Sequence, residues 1–162
     1  MVIHQSAEDY LETILILQEQ SGSVRSIDIV NYLGFSKPSI SIAMKKLREN
    51  GYIAMAEDGT ITLREPGMAI ASKIYDRHKT ITTLFISLGI SPEQAAEDAC
   101  KVEHDLSNET YDHIVRFVQR FKLDHPEEAA AMDQVRLRAS AAGRAEPPEL
   151  DTAEPDSPGT PE

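Results

Sequence analysis

The sequence has a single cysteine and no long apolar run, and both scarcities narrow the kinds of protein it can encode. Cys100 stands alone among 162 residues, so an internal disulfide is excluded; this fits a reducing cytoplasm and leaves the thiol available for metal binding. No stretch approaches the roughly 18 apolar residues of a membrane span. The segment Met1–Asp9 lacks the basic and apolar regions of a secretory signal. We therefore expect a cytoplasmic protein without a membrane partner.

Catalytic motifs are missing as well. The sequence contains no His-Glu-x-x-His pattern and no recognisable nucleophile triad. With 41% hydrophobic and 27% charged residues, the composition is that of an ordinary globular protein with one domain or two small ones. Histidine, carboxylate and thiol groups could hold a catalytic ion, so a metalloenzyme remains a hypothesis, but the least favoured one.

Positive charge is scarce overall but concentrated in one segment. The formal net charge is −11, and residues 123–162 carry ten acids and three bases, a net of −7. Residues 22–50 carry five bases against two acids, a net of +3. A local basic surface of this kind is what contact with DNA requires, whatever the charge of the whole chain.

Residues 1–65 have the pattern of a winged helix-turn-helix. Amphipathic spacing behind the caps Ser6, Ser26 and Ser36 predicts three helices. Two short strands joined by Asp58-Gly59, a strong hairpin signal, follow the third helix. The predicted helices cover residues 6–20, 26–33 and 37–50, and the strands cover 52–56 and 60–63. We interpret this region as a DNA-binding domain whose third helix enters the major groove.

Polar and basic side chains lie largely off the apolar stripe of the third helix. Serine and lysine contact phosphates and base edges in a major groove. The predicted DNA-binding residues are Arg25, Ser36, Lys37, Ser39, Ser41, Lys45 and Lys46. The alternative is a solvated helix face that is basic by chance, and the neighbouring turn and hairpin favour the DNA interpretation.

Residues 66–122 predict a helical domain, so the expected fold class is mainly α. A long fourth helix runs from Pro66 to Leu88, a fifth begins after the cap Ser91, and a sixth begins after Ser107. Residues 123–162 predict an acidic, largely disordered tail. A weak helix over residues 126–139 is consistent with the pattern, whereas residues 141–162 have too few apolar groups to fold.

Three residues of the predicted fifth helix form the densest group of metal-binding types. Cys100, Glu103 and His104 stand at positions i, i+3 and i+4, which share one face of a helix. A thiol, a carboxylate and an imidazole all bind divalent transition metals. Each residue alone is more often structural or solvated, but their joint occurrence favours a metal site. Other elements must complete it, because one helical turn does not enclose an ion.

Two further groups are candidates for completing the site. Asp9 and Glu12 form an i, i+3 pair on the first helix, and His78 lies on the fourth. The alternatives are a solvated acidic face for the pair and a surface basic cluster, Arg77-His78-Lys79, for the histidine.

Four segments within residues 6–121 together resemble the DtxR/MntR family of metal-dependent transcriptional repressors. They are Ser6–Ile14, Phe35–Ser41 with Lys46-Leu47, Tyr75–His78 and Asp98–Ser107. The resemblance implies a winged-helix domain followed by a helical dimerisation and metal-binding domain. It also implies a homodimer that binds a palindromic double-stranded operator when loaded with Mn²⁺ or Fe²⁺. Carried over by position, the metal ligands are Asp9, Glu12, His78, Cys100, Glu103 and His104, with the backbone carbonyl of residue 100 as a further candidate.

The ligand pattern mixes two branches of that family. Asp9, Glu12 and His78 resemble the manganese branch, whereas Cys100 resembles the iron branch. Thr82 and Ala96 stand where the ancillary site of the iron branch has an acid and a histidine. The acidic segment stands where the iron branch often has an SH3-like domain, so we expect the shorter, manganese-type architecture. We expect Mn²⁺ in preference to Fe²⁺, with Zn²⁺ or Co²⁺ also able to bind in vitro.

The leading functional hypothesis is therefore a metal-activated repressor of metal-homeostasis genes. In it, a metal joins the first, fourth and fifth helices and favours the DNA-binding dimer. The main alternative is a winged-helix regulator that binds DNA independently of metal and retains a structural or vestigial metal site.

Overall fold

The computed structural model describes residues 5–141, which form seven helices and one two-stranded hairpin. The elements are α1 (Gln5–Ser21), α2 (Ser26–Leu33), α3 (Lys37–Glu49), β1 (Ile53–Met55), β2 (Ile61–Leu63), α4 (Glu65–Ser87), α5 (Pro92–Val102), α6 (Asn108–Asp124) and α7 (Pro126–Ala141). Within this part of the chain, no helix combines the length and apolar character that crossing a membrane requires.

Helices α1–α3 and the hairpin enclose one apolar core. Leu11, Ile14, Ile29, Ile40 and Ile53 from four of these elements are completely buried in it. The antiparallel strands pair Ile53 with Leu63 and Met55 with Ile61, and Val24 adds an isolated bridge to Ile61. This arrangement confirms the predicted winged helix-turn-helix and the mainly helical fold class.

Side-chain caps begin three of the helices where the sequence predicts them. The Oγ atoms of Ser36, Ser91 and Ser107 accept hydrogen bonds from the backbone N–H three residues later, at 3.3, 3.4 and 3.1 Å. Helix α2 differs, because Arg25 rather than Ser26 is the capping residue. The Asp28 carboxylate reaches back to accept the Arg25 backbone N–H at 2.8 Å.

Helix α4 connects the winged helix-turn-helix to the helices that follow. Its 23 residues span roughly 35 Å. The first turn lies directly against the hairpin, because Gly67 has no Cβ to collide with the backbone carbonyl oxygen of Tyr52. From there α4 packs along α1 and then against α5, α6 and α7. One helix therefore carries side chains from the DNA-binding region to the second half of the molecule.

Helix α7 lies in the segment that the composition assigned to an acidic tail. It packs against α4, α5 and α6, with Ala129 only 6% exposed and the Lys122 ammonium donating to the Asp133 carboxylate at 2.9 Å. Residues 142–162, most of the stretch for which disorder is predicted, lie outside the described residues. The division at residues 65 and 122 stays a prediction.

Candidate metal centre and DNA-binding surface

The end of helix α5 sets the geometry of the candidate metal centre. The helix stops at Val102, so Cys100 is helical while Glu103 and His104 lie in the turn that follows. Glu103 keeps helical backbone angles, with φ −61° and ψ −29°. The spacing predicted that all three residues lie within one helix, whereas α5 ends just before Glu103, although the Glu103 N–H still bonds to the Ala99 carbonyl as in a helix. The turn instead directs Glu103 and His104 toward α1 and α4.

Five of the six predicted ligands lie in two groups that share Glu103. The first group contains Asp9, Glu103 and His104, and the second contains Glu12, His78 and Glu103. Within each group the potential ligand atoms lie within 4.8 Å of one another. Carboxylate oxygens and imidazole nitrogens are ligands for Mn²⁺, Fe²⁺ and Zn²⁺ alike. The donor chemistry therefore fits a divalent transition metal in either group.

Burial separates these residues from ordinary surface acids. Glu12 and Glu103 are 0% exposed and His78 is 8% exposed. A solvated acidic face on α1 is thus excluded for Glu12, and a surface basic cluster is excluded for Arg77 and His78, which are both buried. Two carboxylates removed from water need nearby positive charge. One nearby group is the His78 imidazole, whose Nδ1 lies 2.8 Å from Glu103 Oε2.

His104 lies among three carboxylates. Its Nδ1 donates to Glu8 Oε2 at 2.8 Å, its Nε2 donates to Asp9 Oδ1 at 2.9 Å, and Nε2 lies 3.4 Å from Glu103 Oε1. Burial lowers the pKa of His104, but hydrogen bonds with Asp9, Glu103 and Glu8 outweigh it and raise this pKa to about 10. In this arrangement the imidazolium provides the positive charge that the carboxylates need.

Glu8 was not among the predicted site residues. It belongs to neither ligand group, but its contact with His104 Nδ1 joins α1 to the turn after α5. No periodicity marks Glu8, and the only available signal was its position beside Asp9 in the Ser6–Ile14 segment.

Arg77 was also missed, and it holds the turn that carries Glu103. It is 5% exposed, and its Nη1 donates to the backbone carbonyls of Glu103 and Leu106, both at 3.0 Å. Its Nη2 donates to Asn108 Oδ1 at 2.7 Å, and the guanidinium lies 4.9 Å from the centre of the Tyr111 ring. These bonds satisfy two buried or partly buried backbone carbonyls in the turn between α5 and α6.

Cys100 is the predicted ligand that neither group includes. It is half-buried on α5, one turn before Glu103. Its role as a ligand stays a prediction.

Most of the predicted DNA-binding residues are exposed in the structure. Lys37, Ser41, Lys45 and Lys46 are exposed on α3. Arg25 lies beside the hairpin turn, 3.8 Å from Asp58. Hydrogen bonds from the backbone and hydroxyl of Thr60 lower the pKa of Asp58, which keeps it ionised as a partner for Arg25. Ser36 and Ser39 differ from the others, since their hydroxyls bond to each other at 2.8 Å at the start of α3.

Two family models match this chain, one for each half of the fold. Residues 3–61 match the N-terminal DNA-binding domain of the iron-dependent repressors, and residues 64–129 match their metal-binding and dimerisation domain. The chain belongs to the DtxR/MntR family of iron-dependent repressors. Its DNA-binding and dimerisation domains imply operator DNA and a second copy of the chain as partners. Membership also confirms the prediction of a metal-dependent transcriptional regulator rather than an enzyme.

Individual relatives match this chain over both domains. An uncharacterised HTH-type transcriptional regulator of Methanocaldococcus jannaschii is 37% identical over 120 residues, which are 73% of this chain and 96% of the relative. The transcriptional regulator MntR of Salmonella typhimurium is 34% identical over 113 residues, covering 70% of this chain and 72% of the relative.

Solved structures show the same fold. A manganese-dependent transcriptional repressor in complex with manganese superposes with a TM-score of 0.64 at 26% identity. The match covers 70% of this chain and 52% of the solved one. The chain therefore spans about half the length of that solved repressor.

Proposed function

We propose that this repressor is activated by Mn²⁺, with Fe²⁺ as the second candidate, through a centre built from Asp9, Glu12, His78, Glu103 and His104. The observation that carries the proposal is the shared position of Glu103, whose carboxylate belongs to both ligand groups. A carboxylate placed this way can serve two adjacent ions, so we propose up to two metals per protomer. Cys100 stands as an additional ligand candidate.

The oxygen-rich donor set favours Mn²⁺. Asp9, Glu12 and Glu103 provide hard carboxylate oxygens, and only Cys100 would add a soft ligand. The solved manganese-bound repressor with the same fold is consistent with this choice.

The ligands link three separate segments of the chain. Asp9 and Glu12 belong to α1 of the winged helix-turn-helix, His78 to α4, and Glu103 and His104 to the turn after α5. Near neutral pH the His104 imidazolium offsets the charge of the neighbouring carboxylates, and a metal that replaces its proton would have to take over that role for Asp9, Glu12 and Glu103, which would otherwise repel one another. A bound divalent ion offsets that repulsion and joins the segments. The position of α3 relative to the dimerisation domain is then defined.

A defined position matters because two recognition helices must bind together. In a two-fold dimer, both copies of α3 enter successive major grooves only if their separation is close to one helical turn of DNA, about 34 Å. We propose that the metal shifts the population toward dimers with that separation, and that the operator is palindromic.

The alternative is a regulator of the same fold whose DNA binding does not depend on metal. Fluorescence anisotropy of the chelator-treated protein on DNA from its own promoter region, titrated at fixed salt with Mn²⁺, anaerobic Fe²⁺ and Zn²⁺, separates the two. Our proposal expects binding only with metal, and the order of the metals ranks the candidates. Equal binding with and without metal would support the alternative.

Glu103→Gln tests the shared carboxylate. It keeps the side-chain volume but removes the charge from both ligand groups. Loss of a ligand should weaken metal binding by at least about ten-fold. That is the smallest loss of affinity usually caused by mutating a residue that only hydrogen-bonds to a ligand. Metal-dependent DNA binding should be lost while the circular dichroism spectrum is unchanged. Glu97→Gln, on the exposed side of α5, is the matched control. Wild-type metal binding in Glu103→Gln would contradict the site assignment.

A further inference from the structure

An isoleucine occupies the outermost face of the recognition helix α3. Ile42 is 57% exposed, whereas Ile40, Met44 and Leu47 of the same helix are buried. Successive helical residues advance by about 100°, so Ile42 lies roughly 200° from Ile40, on the side opposite the core. Lys45 and Lys46, both exposed, lie on the same outward side.

Nothing in the local fold requires an isoleucine at this position. Isoleucine is a weaker helix former than lysine, glutamine or alanine, and an exposed position gives it no packing energy in return. Single exposed apolar residues are common on proteins. Ile42 is distinguished by its place in the centre of a basic surface on a helix of a DNA-binding domain.

Several of the polar groups near Ile42 are engaged with each other or are suited to the DNA backbone. The hydroxyls of Ser36 and Ser39 bond to each other at the helix start. Lys45 and Lys46 are point charges suited to phosphates. The outward face of α3 thus combines charge for the DNA backbone with one branched apolar side chain aimed at the groove.

We propose that Ile42 is a specificity-determining residue that packs against the C5-methyl group of a thymine in the major groove. This inference rests on the proposed operator binding. In the major groove, thymine alone among the four bases presents a methyl group, and apolar side chains recognise it by contact. The preference would be for thymine at one position in each half-site.

The test uses DNA selected by the protein itself. The full-length chain is used to enrich duplexes from a randomised library, with Mn²⁺ and separately with anaerobic Fe²⁺. Each conserved thymine of the selected duplex is then replaced by deoxyuridine, which removes only the methyl. At one thymine per half-site, the wild-type protein should lose about four-fold in affinity, the effect of burying one methyl-sized group. Ile42→Ala should bind both duplexes equally.

Two control variants make the result specific. Ile27→Ala removes a second exposed isoleucine, on α2 and 44% exposed, and should keep the wild-type sensitivity to deoxyuridine. Lys46→Ala should weaken binding to both duplexes by the same factor, because a phosphate contact does not read the base.

Three outcomes would overturn the inference. They are wild-type binding that is indifferent to every thymine methyl, retention of the same sensitivity in Ile42→Ala, and a change in oligomeric state rather than base preference in Ile42→Ala. If no duplex is enriched under any metal condition, the proposed operator binding fails as well. That result is distinct from selection of a site that is insensitive to deoxyuridine.

Discussion

At the scale of single residues, Glu8 contacts the candidate ligand His104 without belonging to either candidate ligand group. Its carboxylate accepts from His104 Nδ1 at 2.8 Å, which directs Nε2 toward Asp9, 2.9 Å away. A metal-binding histidine commonly donates its second ring N–H to a carboxylate, which fixes the ring and strengthens the ligand. Glu8 is thus placed to keep Nε2 in position once a metal replaces its proton.

Glu8→Ala should weaken metal binding by about 10- to 100-fold, because the ring of His104 loses its support. Glu8→Gln keeps an acceptor for Nδ1 and should lose much less. Competition with a metal-sensitive dye gives the affinities, and the Co²⁺ absorption spectrum reports whether the ligand field has changed. Glu57→Gln, exposed at the hairpin, is the control. Wild-type affinity in Glu8→Ala would show that His104 needs no such support.

Cys100 calls for a separate test, because the other candidate ligands are carboxylates and imidazoles. If its thiolate binds the metal, Cys100→Glu replaces a soft ligand with a hard one and should raise the affinity ratio of Mn²⁺ to Co²⁺ by about ten-fold or more. Anaerobic competition titrations of both metals measure that ratio. An unchanged ratio would mean that the thiol does not select the metal.

At the scale of secondary-structure elements, the junction between the hairpin and α4 depends on one glycine. A Cβ on Gly67 would collide with the Tyr52 carbonyl oxygen and lie 3.0 Å from the Tyr52 carbonyl carbon. Gly67→Ala should therefore destabilise the protein by about 1–3 kcal/mol, despite the better helix propensity of alanine. Thermal unfolding should show a decrease of several degrees in Tm.

Met68→Ala is the matched control, since Met68 is the neighbouring residue on α4 and is 39% exposed. Its Tm should stay close to that of the wild type. A Gly67→Ala protein at least as stable as the wild type would show that the backbone at Tyr52 can shift away from α4 at little cost.

The elements also show how far local sequence determines the site. Asp58-Gly59 predicted the hairpin, and Ser36, Ser91 and Ser107 predicted helix starts, because caps and turns are local features. The end of α5 could not be predicted in the same way. Glu103 keeps helical angles, and its backbone carbonyl accepts a hydrogen bond from Arg77, which lies 26 residues earlier in the chain. A stop that depends on a distant arginine leaves no signal in the residues around it.

At the scale of the whole molecule, the order of elements predicted the architecture well. Composition was a poorer guide to where the folded region ends. Apolar periodicity identified the winged helix-turn-helix and the long α4, since both bury one face of each helix. Composition placed residues 126–141 in the tail and the pattern allowed a weak helix over residues 126–139; the structure has helix α7 there, with Ala129 and Asp133 contacting the preceding helices. Helix α7 packs with small and charged residues against α4, α5 and α6. Such residues do not form the regular apolar pattern by which a packed helix is recognised in a sequence.

The arrangement of the whole molecule also determines how metal binding and DNA binding affect each other's affinity. The ligand groups connect α1 to the turn after α5, while α3, on the same winged helix-turn-helix, carries the exposed lysines. If one metal-stabilised arrangement of these parts binds DNA best, the coupling must be reciprocal, because both ligands select the same state. Operator DNA should then raise the metal affinity by the same factor by which metal raises the DNA affinity, commonly about 5- to 150-fold.

Isothermal titration of Mn²⁺ into the protein, with and without saturating operator duplex, measures this coupling. Lys46→Ala is the informative control, because it should leave metal affinity unchanged without DNA and should weaken DNA binding with a shallower salt dependence. An unrelated duplex of equal length excludes a general effect of added phosphate. A rise of no more than about two-fold with the operator corresponds to only about 0.4 kcal/mol of coupling. Metal and DNA would then bind almost independently, and α1 would not transmit the state of the metal centre to α3.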